Sequence, residues 1–259
     1  MTSAPDHLRL NRYLARSGLG SRRGVEALIA TGRVRLNGEI VTDLGRRVDP
    51  LSDLVTVDHK TITLPSSWSV YAFHKPAGVV SSLRAQGQAR CLAEFRQRED
   101  LPAAVVPVGR LDAPTTGLLI WTDDGNLAEA LLLPRHRIWK RYLMTLDRPL
   151  SPEAESLLTD GRIELDDRPC LPARLESAGP DRRTWRFWLR EGRNRQIRRM
   201  ILAVDRRVVS LHREAVGPLE LGDLPSGRFR ELAAGEVEVL RSTLAASLED
   251  PQLDDDLEV

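Results

Sequence analysis

The chain has 259 residues and nearly balanced charge, with 38 lysines and arginines against 37 aspartates and glutamates. No apolar run approaches the roughly 20 residues that span a bilayer, and the N-terminal segment MTSAPDHLRLNRYL lacks the apolar stretch of a signal peptide. Two cysteines, Cys91 and Cys170, are too few for a disulfide framework or a four-cysteine zinc site. We therefore expect a cytoplasmic globular protein that contacts no membrane and holds no metal.

The first 64 residues predict a compact α+β unit. Apolar residues at helical spacing, at 10, 13 and 14 and again at 25, 28 and 29, predict two helices. Ser21 is the expected N-cap of the second helix, and Gly32 is placed to end it. Strands are predicted at 34–36, 55–57 and 62–64, with Asn37-Gly38 and Asp58-His59 as the turns.

Pro65-Ser66-Ser67 predicts a short linker, after which strands and helices are mixed up to about residue 240. The strands are predicted at 68–73, 118–121, 142–146 and 184–189, and the helices at 126–133 and 196–204. The acidic end of the chain predicts a disordered tail, placed at 241–259.

Positive charge is concentrated in two blocks. Residues 9–35 hold seven arginines and one acid, residues 181–213 hold eleven arginines and three acids, and residues 249–259 hold six acids and no base. A formal net charge of +1 by itself argues against nucleic-acid binding, but it conceals these blocks. All but three of the 38 basic residues are arginine, which suits bidentate phosphate contacts. The blocks therefore indicate either solvated faces or phosphate-binding surfaces.

Four segments carry residue types suited to catalysis or phosphate binding. HKPAGVVSS at 74–82 follows a predicted strand and, alone, is typical of a surface turn. GRLDAPTTGLL at 109–119 places Asp112 in a loop before a buried strand, where a ligand can reach the carboxylate. The residues alone slightly favour a turn-capping role for this aspartate. KRY at 140–142 is a basic pair entering a strand, and EGRNRQIRRM at 191–200 runs into a helix start and favours anion binding.

Together, in this order and spacing, the four segments resemble the RsuA/RluB-type ribosomal RNA pseudouridine synthases. The N-terminal segments LNRYLARSGLGSRR and GRVRLNG resemble the S4-like RNA-binding domain that precedes the catalytic domain in this family. The resemblance covers about residues 8–240. It implies an α+β fold, with a small S4-like domain at 8–67 and, at 68–240, a mixed, mainly antiparallel sheet with flanking helices.

The resemblance also implies roles for single residues. Asp112 matches the catalytic aspartate, Tyr142 the aromatic that packs against the target base, and Arg198 the arginine that pairs with the aspartate. The further RNA contacts expected from these motifs and from the S4-like unit are Lys75, Arg110, Lys140, Arg193, Arg195, Ile197, Arg199, Arg9, Arg12, Arg22 and Arg23. Trp121, Asp123 and Asp205-Arg206 depart from the usual family pattern.

The activity that the resemblance implies is isomerisation of uridine to pseudouridine in ribosomal RNA, by a monomer without cofactor or metal. The GRNRQIRRM form resembles the branch acting on 23S RNA of the large subunit more than that acting on 16S RNA. Two alternatives stay open at this point: a non-catalytic RNA-binding ribosome-assembly factor, and a metal-dependent phosphodiesterase built on Asp123, Asp124 and Glu191. Asp112 suits attack at C1′ as a nucleophile or removal of the C2′ proton as a base.

Overall fold

The computed structural model describes residues 7–20, 22–65 and 67–249. Ser21, expected as an N-cap, Ser66 of the expected linker, and residues 250–259 of the expected tail lie outside the described residues. The chain divides into two compact units, of which the first takes the chain up to Ser69 together with Leu101–Val106 and Thr122–Gly125. The domain bounds 8–67 and 68–240 stay predictions. Within the described ranges, none of the helices has the length and apolar character needed to cross a membrane.

The helices of the described chain are α1 (Leu10–Leu14), α2 (Arg22–Ala30), α3 (Leu92–Arg98), α4 (Gly125–Leu132), α5 (Pro152–Thr159), α6 (Gln196–Ala203) and α7 (Ala234–Glu249), with a π-helical turn at Ala15–Leu19 and a 3₁₀ turn at Pro134–His136. The strands are β1 (Leu8–Arg9), β2 (Val34–Leu36), β3 (Glu39–Ile40), β4 (Arg47–Val48), β5 (Val55–Val57), β6 (Lys60–Ile62), β7 (Val70–Lys75), β8 (Val106–Pro107), β9 (Thr116–Thr122), β10 (Lys140–Leu146), β11 (Glu164–Leu165), β12 (Arg168–Pro169), β13 (Arg174–Ser177), β14 (Thr184–Leu189), β15 (Val208–Val216), β16 (Leu219–Glu220) and β17 (Phe229–Glu231).

The first unit packs α1 and α2 with a four-stranded sheet of order β3-β2-β5-β6. Leu10, Leu14, Val25 and Ile29 are fully buried, which confirms the two helices expected from apolar spacing. The last strand of this sheet begins two residues earlier than the expected 62–64. Asp58 and His59 both have positive φ and form a two-residue turn, so that Lys60 already pairs with Val57.

The second unit is built on a nine-stranded sheet of order β13-β14-β10-β15-β9-β7-β17, with β16 beside β15 and β8 beside β9. The β13–β14, β14–β10, β10–β15, β15–β16 and β7–β17 pairs are antiparallel. The β15–β9 pair is parallel and joins Thr116 to His212 and Gly117 to Arg213. The expectation of a mixed, mainly antiparallel sheet with flanking helices is thus confirmed.

Two apolar clusters cover parts of this sheet. One joins Leu158 of α5 and Ile201 of α6 to the strands β10 and β14, and the other joins α4 and α7 to β9. Leu240 and Leu244 of α7 are buried in the second cluster, each contributing about 1.5–3 kcal/mol. The expected tail is therefore placed too early, because residues 241–249 belong to this packed helix.

Candidate active site

A pocket of about 420 Å³ lies wholly within the second unit. Its walls come from the loop before β9, the end of α4, the strands β10 and β15, and the segment that leads into α6. The sequence-predicted residues that line it are Asp112, Tyr142, Arg198, Arg110, Lys140, Ile197, Arg193 and Arg195. Residues 86 positions apart, Asp112 and Arg198, are thus brought to one cavity by the sheet.

The segment 74–82 fastens the loop that carries Asp112. Lys75 is fully buried, and its Nζ donates hydrogen bonds to the carbonyl oxygens of Pro76 (3.0 Å), Ala113 (3.2 Å) and Thr115 (2.9 Å). Burial lowers the pKa of Lys75 to about 8, and the negative charge of Asp112 opposes that shift. The enclosure of the ammonium and its three hydrogen bonds argue against the RNA contact expected of Lys75.

Two further contacts hold the same loop. The hydroxyl of Ser81 donates to the carbonyl of Leu111 (2.7 Å) and accepts from the N–H of Leu111 (3.1 Å). The N–H of Gly78 donates to the carbonyl of Ala113 at 2.8 Å. No local pattern indicates these contacts, because a serine and a glycine in a turn are common and their partners lie 30 or more residues away. The segment is a scaffold for the aspartate loop rather than a surface turn.

Arg198 projects from the first turn of α6 toward Asp112. The distance from its Nε to Oδ2 of Asp112 is 3.9 Å, and the two side chains are 14% and 27% exposed. Its other nitrogens donate to the carbonyl of Val208 (3.2 Å) and to Oγ1 of Thr115 (3.3 Å). Burial lowers the pKa of Arg198, and the charge of Asp112 opposes this. The guanidinium thus lies beside the carboxylate with two of its other nitrogens held by hydrogen bonds, which fixes its position relative to Asp112.

Tyr142 lies on β10, half-buried, directly opposite Arg213 of β15. Arg213 is only 7% exposed; its Nε donates to the carbonyl of Leu118 at 2.7 Å, and its NH1 lies 3.5 Å from the Tyr142 hydroxyl. Arg213 was not among the residues expected at the site. The available signal was the strand that follows the basic motif, in which side chains alternate between two faces and Arg213 shares a face with Leu211 and Ala215.

The close approach of two backbones sets the place of Arg213. Gly117 has a φ of +105°, and a Cβ atom added to it would lie 2.3 Å from the carbonyl oxygen of Arg213. Only glycine allows this contact, because a real Cβ never comes so near to a backbone atom. The parallel β9–β15 pairing therefore requires Gly117.

Arg193 and Arg199 make hydrogen bonds and ion pairs with the neighbouring hairpin of β11 and β12. Arg193 donates to the carbonyl oxygens of Leu165 (2.8 Å), Arg168 (3.0 Å) and Pro169, and its Nε lies 3.2 Å from Oε2 of Glu191. Arg199 makes a bidentate pair with Asp166 in the turn of the same hairpin. Both guanidiniums are therefore engaged by protein oxygens, against the expectation that they contact RNA.

The remaining basic residues differ in exposure. Arg110 and Arg195 are exposed at the pocket, and Arg195 has a left-handed backbone (φ 49°) at the start of α6. In the first unit Arg9, Arg22 and Arg23 are exposed, whereas Arg12 is half-buried. Within 7–20, 22–65 and 67–249, no group of three or more histidine, cysteine, aspartate or glutamate side chains could hold a metal ion.

Comparison with known proteins assigns the two parts of the chain. Residues 69–203 match the family model of RNA pseudouridylate synthase, and residues 8–55 match that of the S4 domain. A crystal structure of a pseudouridylate synthase is similar, with a TM-score of 0.65 and 30% identity over 90% of this chain and 99% of the other. The chain therefore belongs to the RNA pseudouridylate synthase family.

The chain also matches several relatives over almost the whole length of each relative. An uncharacterized RNA pseudouridine synthase of Mycobacterium tuberculosis is 36% identical over 236 residues, which are 90% of this chain and 92% of the relative. Ribosomal large subunit pseudouridine synthase B of Bacillus subtilis is 33% identical over 90% of this chain and 96% of its own. Ribosomal small subunit pseudouridine synthase A of Pseudomonas aeruginosa is 36% identical over 89% and 99%. The resemblance read from the motifs is confirmed, and the protein is an RNA pseudouridine synthase rather than a non-catalytic assembly factor.

Proposed function

We propose that this chain isomerises a uridine of ribosomal RNA to pseudouridine, with Asp112 as its catalytic carboxylate. The observation that carries the proposal is the convergence of Asp112, Tyr142 and Arg198 on one pocket, with Nε of Arg198 3.9 Å from the Asp112 carboxylate. Relatives that are named for the large and for the small ribosomal subunit support a ribosomal RNA target. The preference for 23S RNA stays a prediction, since relatives of both kinds match.

The reaction exchanges one glycosidic bond for another. The N1–C1′ bond breaks, the base turns, a C5–C1′ bond forms, and the proton that leaves C5 is balanced by one gained at N1. Asp112 supports this exchange by attack on C1′ or by removal of the C2′ proton, and Arg198 orients its carboxylate in both routes. Tyr142 stacks on the base, which keeps the detached uracil next to the sugar.

A uridine within structured RNA must leave its stack to reach Asp112, at a cost of about a few kcal/mol. Contacts with phosphates offset that cost and also position the enzyme without reading the base. The exposed Arg9, Arg22 and Arg23 of the S4 domain, with Arg12 beside them, are suited to this role. A cytoplasmic monomer acting on ribosomal RNA completes the proposal.

Pseudouridine mapping tests this function. Both ribosomal RNAs are mapped from cells that lack the gene and from the same cells carrying the wild-type gene or Asp112→Asn. We expect one pseudouridine site that is lost without the gene, restored by the wild type and not restored by the variant. A restored site in the Asp112→Asn cells contradicts the role of Asp112, and unchanged maps in both RNAs contradict the ribosomal target. Uridine deuterated at C2′ then distinguishes the two routes, because only proton removal gives a primary isotope effect.

A further inference from the structure

Two cationic side chains in the pocket take no part in the exchange of bonds described above: Lys140, which is expected to contact RNA, and Arg213. Both line the cavity, Lys140 on β10 two residues before Tyr142 and Arg213 on β15 directly opposite Tyr142. Over the described residues, seven cationic side chains and two carboxylates line the pocket. One carboxylate, Asp112, faces Arg198, and the other, Glu191, is engaged by Arg193. The pocket lining thus carries excess positive charge.

Lys140 is held in the pocket without a partner. Its ammonium makes no hydrogen bond or ion pair with any residue in the described part of the chain. Burial and the nearby Arg213 lower the pKa of Lys140 to about 8, whereas Glu191 opposes the shift. Lys140 is half-buried at the pocket wall, and because no group of the described residues takes up its N–H donors, the ammonium is available to an anion that enters the pocket.

Arg213 has donors to spare. One bond, from Nε to the carbonyl of Leu118, fixes its guanidinium, and the distance of 3.5 Å to the Tyr142 hydroxyl is longer than a good hydrogen bond. A guanidinium carries five N–H donors. The backbone of Arg213 is also held close to that of Gly117, and the side chain is buried. The side chain is therefore preorganised to bind an acceptor that enters the pocket.

A lasting anion suits this pair better than the base does. The uracil leaves with the electron pair of the N1–C1′ bond, so it is anionic only until the C5–C1′ bond forms, and it must turn within that interval. The phosphodiester next to the uridine keeps its charge and stays attached to the sugar throughout. We propose that Lys140 and Arg213 form a phosphate subsite, which holds an RNA backbone phosphate beside the target uridine while the base detaches and turns. This inference rests on the proposed function for the identity of the RNA.

Salt-dependent binding of RNA tests the subsite without requiring turnover. The ligand is an unmodified transcript of the ribosomal RNA that the mapping experiment identifies as the target. Its affinity is measured at several KCl concentrations for the Asp112→Asn protein and for the double variants that add Lys140→Met or Arg213→Met. Each lost phosphate contact should lower the slope of log affinity against log salt by about 0.7–0.9. We expect this decrease in both double variants, with binding about tenfold weaker at low salt. Arg162→Met, which removes an exposed charge paired with Asp160 outside the pocket, should leave the slope unchanged.

Unchanged slopes in both Lys140→Met and Arg213→Met overturn the subsite. So does a loss of affinity that is equal at all salt concentrations, since that result indicates a contact with the base. Thermal melting establishes that each variant folds, and Arg213→Lys, which keeps the charge, should recover most of the slope. Isomerisation that persists in Asp112→Asn contradicts the proposed role of Asp112 but leaves the slopes, and hence the subsite, to be judged separately.

Discussion

The Nε atom of Arg198 lies 3.9 Å from Oδ2 of Asp112, while Thr115, three residues after that aspartate, accepts a hydrogen bond from another nitrogen of the same guanidinium. Thr115 is 1% exposed, and its N–H donates to the carbonyl of Asp112 at 2.9 Å. One loop therefore supplies both the carboxylate and the hydroxyl that positions the arginine. The relative place of the two charges is fixed by a single short turn.

Thr115→Val should reduce kcat by about tenfold with little change in KM. The substitution keeps the shape of the side chain and removes only the hydroxyl, so that a buried nitrogen of Arg198 loses a bond worth about 1.5–3 kcal/mol. Single-turnover rates and RNA affinity measure the two effects. Thr115→Ser retains the hydroxyl and should recover most of the rate, whereas equal losses in Val and Ser variants would show that packing, rather than the hydroxyl, matters.

Lys75→Met should destabilise the fold by about 2–5 kcal/mol and leave RNA affinity nearly unchanged. The variant removes the ammonium that donates to the carbonyl oxygens of Ala113 and Thr115, and of these two Ala113 still accepts from the N–H of Gly78. Urea unfolding gives the stability, and binding of Asp112→Asn with and without the substitution gives the affinity. If the folded variant instead binds RNA much more weakly, Lys75 contacts RNA after all, and the conclusion drawn from its burial is wrong.

Gly117→Ala should cost at least about 3 kcal/mol of stability and lower activity as well. The new methyl group would meet the backbone of Arg213 at 2.3 Å, in addition to the strain of a φ of +105°. Gly222→Ala is the matched control, since Gly222 has a φ of +58° and nothing within 4 Å of the added Cβ. It should cost only about 1–2 kcal/mol. Similar losses in the two variants would contradict the close strand approach.

Lys140→Met should raise the free energy of unfolding by about 1–3 kcal/mol at neutral pH while it weakens RNA binding. The pKa of Lys140 is lowered to about 8 in the folded chain, so its ammonium destabilises the fold below pH 8. That cost is relieved between pH 8 and 10.5, where the unfolded chain still holds the proton. The charged groups that act on Lys140 are Arg213, which opposes its charge, and Glu191, which favours it.

Urea unfolding at a series of pH values checks this sign. Stability of the wild type should rise from pH 8 toward 10.5 more than that of Lys140→Met, and the gain from the substitution should disappear over the same interval. A gain that is constant with pH would mean that the ammonium carries no penalty in the folded chain.

Local chemistry made much of the fold predictable. Asn37 and Gly38 take positive φ in a hairpin turn as their residue types require, and the alternating residues of 184–189 form β14. The convergence of Asp112 and Arg198 was read from family motifs, because no local pattern relates positions so far apart. Their chemical roles stay predictions that the mapping experiment tests.

The roles of several basic residues could not be predicted from the sequence, because their hydrogen-bond partners lie far away along the chain. Whether Lys75 binds RNA or supports a loop is decided by three carbonyl groups, two of which lie about 40 residues away. Arg193 and Arg199 are engaged by the hairpin of β11 and β12, which was not predicted from its short strands. A charge run shows that arginines are present, but only the folded chain shows which of them face protein oxygens.

The strand β15 has a consequence for when this enzyme becomes active during its own synthesis. It is parallel to β9, which follows the Asp112 loop, and antiparallel to β10, which carries Tyr142, so it sets the spacing between the two. A nascent chain that ends before Val208 holds both residues but has no strand to join them. A slip of one residue in β15 would turn His212 toward the pocket and Arg213 away from it. Asp112 and Tyr142 are therefore brought into one site only once β15, which begins about four fifths of the way along this sequence, has been synthesised.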